Sequence, residues 1–196
     1  MMKFFILISL LMFLSCQKKL TKQEEATIFA GKAMQDIASG MMAEVQKAVD
    51  TMGAKKAVLY CRDFVPGYTQ EKLATWSQKA REELGANSFR FRRISLRNRN
   101  PANTPNELEK AILEDWEKTG RAQPTGYERD GKIITLHPIK IASPLCLNCH
   151  GKIEQMNPDI VKEIRRLYPN DLAVGYSLGE LRGAFLSEFT FPNEPK

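Results

Sequence analysis

The sequence predicts an α+β domain in which long N-terminal helices pack on an antiparallel sheet. Three observations carry that class. Apolar residues recur at helical spacing over residues 22–52. An Asp130-Gly131 pair sits between two alternating runs, as at a tight hairpin. The elements read helices, strand, helix, then strands, an order that favours an antiparallel sheet.

Each element has a local cause. Over residues 22–52, Ala26, Phe29, Ala33, Ile37, Met41, Val45, Ala48 and Met52 form one stripe. Gly40 weakens this helix and Gly53 ends it. A second helix covers residues 54–61, with Ala57, Val58 and Cys61 on one face. Pro66-Gly67 is expected to break the chain, and a third helix covers 70–84 before Gly85. Residues 88–96 alternate as a half-buried strand, with a slip at Arg92-Arg93 that suggests a bulge. After the loop 98–103, Thr104, Pro105 and Glu107 read as a capped helix start. That helix should run to about residue 119 with Leu108, Ile112 and Trp116 inward. Residues 125–129 and 132–139 form the hairpin, and 159–167 a short helix. Residues 172–177 and 183–189 are expected to be two antiparallel strands.

The first residues point outside the cytoplasm. Lys3 is followed by an apolar run over 4–14, interrupted only by Ser9, and then by Ser15-Cys16. A charged start, a short apolar core and a small residue form an export signal. The run is shorter than the roughly 20 residues a membrane-spanning helix needs. The cut site resembles a bacterial lipoprotein signal, which implies lipidation of Cys16, although Phe13 stands where Leu is usual. Acyl chains there would hold the protein to a membrane face. The expected organisation is a signal over 1–15, a tether over 16–22, one domain over 23–190 and a tail over 191–196. Removing 15 of the 196 residues leaves 181, enough for one core. The removed segment holds one Lys and no acid, so the net charge falls from +6 to +5. This mild excess suits acidic partners or anionic lipid and does not by itself indicate nucleic acid.

Four cysteines divide by role. Cys16 is assigned to lipid, Cys146 and Cys149 belong to PLCLNCHG at 144–151, and Cys61 stands alone. Structural zinc needs four ligands, usually two Cys/His pairs, and a second pair is missing. A dithiol redox motif belongs at a helix start after a strand in a βαβ unit, a context that this order does not supply. Covalent haem fits each residue. Cys146 and Cys149 can form thioethers with the two vinyl groups, and His150 then reaches the iron. Gly151 leaves room for the macrocycle beside the backbone. Cys61 remains open between a small buried hydrophobe and a second iron ligand.

The chain resembles the PAS-like c-type monohaem domain family known from a cyanobacterial haem protein and from sensor domains of bacterial histidine kinases. The resemblance spans about residues 30–190. It rests on AVLYC at 57–61, ISLRNRNPANTPNELE at 94–109, the YERDGKIITLHPI hairpin, PLCLNCHG, and GYSLGELRGAF at 175–185. Many members carry a transmembrane helix and a kinase domain, neither of which is seen here. The resemblance implies a PAS-like sheet with helices around one covalent haem c. It also implies an axial pair, which maps to His150 and Cys61.

Other candidates are weaker. His137, Met34, Met41, Met42, Met52 and Met156 are rival sixth ligands. His137 reads as a strand residue near the haem edge, the helical methionines as core, and Met156 as part of a polar loop. Arg90, Arg92, Arg93, Arg97 and Arg99 interleave with Phe89 and Phe91, a pattern that could suit RNA, but export argues against nucleic acid. Arg97 and Arg99 are instead candidates for the haem propionates, since guanidinium suits carboxylates. Two axial protein ligands favour redox or gas sensing, or low-potential electron transfer with a redox or signalling partner. A peroxidase-like enzyme ranks below these, because no distal acid–base set is apparent.

Overall fold

The computed structural model describes residues 19–192. The expected export signal over 1–15, Cys16 and the last four residues lie outside them. Among the described residues no helix is long and apolar enough to cross a membrane.

Helix α1 (Lys22–Met52) starts from Thr21, whose hydroxyl accepts the Glu24 amide while Glu24 reaches back to the Thr21 amide. Ala26, Phe29, Ala30, Ala33, Met34 and Ile37 are buried, whereas Met52 is exposed. The expected stripe therefore holds for the first half of the helix and weakens beyond Gly40, where the Tyr68 hydroxyl occupies the space a Cβ would take. Helix α2 (Ala54–Leu84) is continuous, which corrects the expected break at Pro66-Gly67. Pro66 cannot donate to the Arg62 carbonyl, but local contacts span the defect. Phe64 stacks on both Tyr60 and Tyr68, and Thr69 Oγ1 donates to the Val65 carbonyl. Antiparallel pairing with α1 adds Trp76 Nε1 and Lys72 Nζ on Asp36, at 2.9 and 3.1 Å.

The sheet is antiparallel, in the order β1 (Ser88–Ile94), β4 (Leu181–Thr190), β3 (Lys132–Lys140), β2 (Thr125–Arg129). The β2–β3 hairpin turns through Asp130 and Gly131, both at positive φ, as a type I′ turn demands. The bulge expected at Arg92-Arg93 is absent, since β1 pairs with β4 without a slip. The register shift lies instead between Ile139 and Lys140. Residues 172–177 form no strand. They run along the motif, with Gly175 N on Gly151 O and Tyr176 N on His150 O.

The sheet buries both faces. Phe89, Ile133, Phe185 and Phe189 pack against α1 and α2, where Phe29 sets its ring edge-on against Trp76, Phe89 and Phe189. Ile94, Leu136, Ala184 and Leu186 pack against α3 (Glu107–Thr119). The cap of α3 is Asn106 with Glu109, not Thr104 with Glu107; Thr104 Oγ1 donates to the Pro101 carbonyl instead. The inward face is Glu109, Leu113 and Trp116, while Leu108 is exposed. Glu109 is held there from both sides: Arg92 Nη2 lies 2.6 Å from both its oxygens, and Asn106 donates to them as well.

Candidate functional site

The motif folds as helix α4 (Pro144–His150), directly after β3. Pro144 suits the first turn, where a missing amide costs nothing. Cys146, Cys149 and His150 stand at i, i+3 and i+4, so they share one helical face. The motif thus does start a helix after a strand, as a dithiol motif would. The sheet around it is antiparallel throughout, so the βαβ context is missing. Cys61, Cys146 and Cys149 are free thiols, each half-buried.

His150 is the most constrained group. Its Nδ1 lies 2.7 Å from the Ala173 carbonyl. A carbonyl only accepts, so Nδ1 carries the proton and the Nε2 lone pair is left for a metal. Burial, then the Arg99 and Arg182 guanidiniums, hold the His150 pKa well below 6.5, against the opposing Ala173 bond. The ring is therefore neutral at physiological pH, as ligation requires. Segment 171–176 supports it. Arg99 Nη2 donates to the Cys149 carbonyl at 2.6 Å, to Asp171 at 3.0 Å and to the Ala173 carbonyl at 3.4 Å. Tyr176 sets its ring edge-on to the imidazole.

Helix α2 brings Cys61 to this place. One turn before it, Val58 packs with Met156, Ile160 and Ile164, and Cys149 borders the same cluster. The last two belong to α5 (Pro158–Leu167). Met156 is thus buried beside the motif rather than in a polar loop, which corrects the expectation. Burial raises the Cys149 pKa, and Cys61 lies close enough to add to that rise. Burial raises the Cys61 pKa and the Arg93 guanidinium opposes that rise.

From the sequence Arg93 reads only as one of the arginines interleaved with Phe89 and Phe91 and as part of the expected bulge. The signal was present: Phe89, Phe91 and Arg93 alternate on one strand face, and an arginine on the apolar face needs a reason. It lies within electrostatic reach of Cys61, Tyr168 and His150. Its side chain is exposed to solvent.

Arg97 stacks its guanidinium 3.6 Å from the Tyr176 ring centroid and pairs with Glu180 at 3.7 Å. Arg99 is committed to Asp171 and the motif backbone. His137 is buried under α1, so close to Gly31 that a Cβ there would meet Nε2 at 3.1 Å. Met34 is core, Met41 and Met42 are half-buried, and Met52 is exposed.

Among the described residues no three or more His, Cys, Asp or Glu side chains gather to hold a bare metal ion. The donor set would suit a metal-bearing macrocycle attached through thioethers instead. It has two thiols and a tautomer-fixed imidazole on one helical face, with a third thiol on another helix within electrostatic reach of Cys149. The crystal structure of the cyanobacterial haem protein Tll0287 is similar, with a TM-score of 0.57 at 22% identity, covering 88% of this chain and 98% of that one. That likeness shows the fold, PAS-like α+β with long N-terminal helices. No curated protein matches the chain. The model of the Tll0287-like family matches residues 16–189, nearly the whole sequence, and the chain therefore belongs to the Tll0287-like family.

Proposed function

We propose that this protein is an exported, membrane-tethered c-type monohaem protein that senses redox state or a gas, and is not an enzyme. The observation that carries the reading is the His150 Nδ1 bond to the Ala173 carbonyl, which frees Nε2 on the helical face bearing Cys146 and Cys149. Cys146 and Cys149 would hold one haem c through thioethers, with His150 and Cys61 as axial ligands. When bound, haem supplies a one-electron couple and a gas-binding iron. The protein's own groups set the rest. Ala173 keeps the imidazole in one tautomer, Arg99 ties α4 to segment 171–173, and Cys61 as thiolate would favour the ferric state. Cys16 would carry the lipid anchor.

Sensing is favoured by where Cys61 sits. Pro66 leaves the Arg62 carbonyl without its helical donor, one residue past Cys61. Release of the thiol would let α2 bend at that weak point, and α2 is anchored to α1 through Trp76 and Asp36. A low-potential electron carrier is the second reading, motivated by the small single domain.

The test is spectroscopic. Protein made in cells with haem-maturation machinery should retain haem after denaturation. Its ferric low-spin thiolate signal should vanish in Cys61→Ala. An unchanged Cys61→Ala spectrum would refute the axial assignment, and loss of the Cys61 ligand on reduction favours sensing over transfer. Acyl labelling that persists in Cys16→Ala would refute the anchor.

A further inference from the structure

We propose that Arg93 and Arg182 form the subsite for the two propionate carboxylates of the haem. This inference rests on the haem reading above and assigns residues the sequence did not suggest. Four guanidiniums surround the His150 region: Arg93, Arg97, Arg99 and Arg182. Two carboxylates answer them. Asp171 takes Arg99 at 3.0 Å and Glu180 takes Arg97 at 3.7 Å. Arg93 and Arg182 form no ion pair among the described residues, although Asp171 acts on Arg182 from a distance.

Their surroundings sharpen the imbalance. Arg182 is locked by one nitrogen, Nη1, which donates to Ser95 Oγ at 2.7 Å and to the Arg97 carbonyl at 3.1 Å. Its Nε is buried with no acceptor. Arg93 forms neither a hydrogen bond nor an ion pair among the described residues, yet it reaches Cys61 and His150 electrostatically. Both arginines belong to the same end of the sheet, since Arg93 opposes Phe185 in β4, three residues from Arg182. Arg182 is repelled by both Arg93 and Arg99. A buried donor without an acceptor, as at Arg182 Nε, is costly, and like charges brought together add to that cost. Two carboxylates presented there would relieve both, in the planar pairing guanidinium favours. Arg99 also has an unpartnered Nε, but its Nη2 already serves Asp171 and the Cys149 and Ala173 carbonyls. It could turn to a propionate only by abandoning them.

The experiment uses covalently matured protein and reads the propionate bending bands by resonance Raman, with Arg90→Met as control. Arg93→Met and Arg182→Met should each shift one band, and the double variant both. At a fixed ambient potential each loss of charge should move the ferric-to-ferrous ratio about tenfold toward ferric. Unmoved bands in both single variants overturn the proposal, as do bands that move in Arg97→Met instead. If the Met variants fail to mature, Arg93→Lys and Arg182→Lys keep the charge but lose the planar fork. Band shifts in them support the proposal and unmoved bands refute it. Wild-type protein without covalent haem refutes the underlying reading first. Wild-type haem with invariant propionate bands refutes only this one.

Discussion

Arg99→Met should destabilise the protein by about 3 kcal/mol, at the low end of the range of about 3–5 kcal/mol for leaving one member of a buried pair unpaired. The pair is Arg99–Asp171 at 3.0 Å, with side chains 15% and 6% exposed, too enclosed for water to replace the lost partner. The low end applies because Asp171 keeps one donor, the Ala173 amide at 2.8 Å. With a urea m-value of about 2 kcal/mol/M, the midpoint should fall by about 1.5 M. The thermal midpoint should fall by about 6–12 °C. The informative comparison is Arg99→Met with Asp171→Asn, measured in the same haem state. Removing the stranded charge should restore part of the loss, so the double variant should be more stable than Arg99→Met alone. A loss under about 1 kcal/mol, the value of a surface pair, would refute the reasoning, as would a double variant no better than the single.

Other outcomes follow from the same geometry. Gly183→Ala should destabilise the β1–β4 edge, because φ is +148° and a Cβ would collide with the Ile94 carbonyl oxygen; an unchanged urea midpoint would contradict that contact. Phe29→Ala should cost about 3–5 kcal/mol, since the ring is buried among Trp76, Phe89 and Phe189. In haem-free Cys146→Ser/Cys149→Ser protein, stability should be full above about pH 7 and fall as pH drops through 6.5. Burial lowers the pKa of both His137 and His150, so the unfolded chain takes up protons there that the fold refuses. His137→Gln should flatten part of that slope, and a profile flat from pH 7 to 5.5 would count against both burials.

Much of this protein is legible in one dimension because the relevant physics is local. The first half of the α1 stripe and the Asp130-Gly131 turn follow from backbone periodicity and turn chemistry, and the spacing of Cys146, Cys149 and His150 is read directly, but not the helix that puts them on one face. Cys61 stood out by count alone. The misread features depended on distant partners. Pro66 sits inside a helix because stacking among Tyr60, Phe64 and Tyr68 and packing on α1 outweigh one lost bond. On α3, Arg92 reaches from the strand to hold Glu109 on the inward face. Residues 172–177 alternate like a strand but spend their backbone bonds on His150 and Gly151. The sequence by itself determined the fold class and the donor chemistry, since propensity, pattern and residue type are carried by neighbours along the chain. Only the tertiary structure decided the imidazole tautomer and which arginines have carboxylates. Both depend on groups such as Ala173, Asp171 and Glu180, which the fold brings to the site from elsewhere in the sequence.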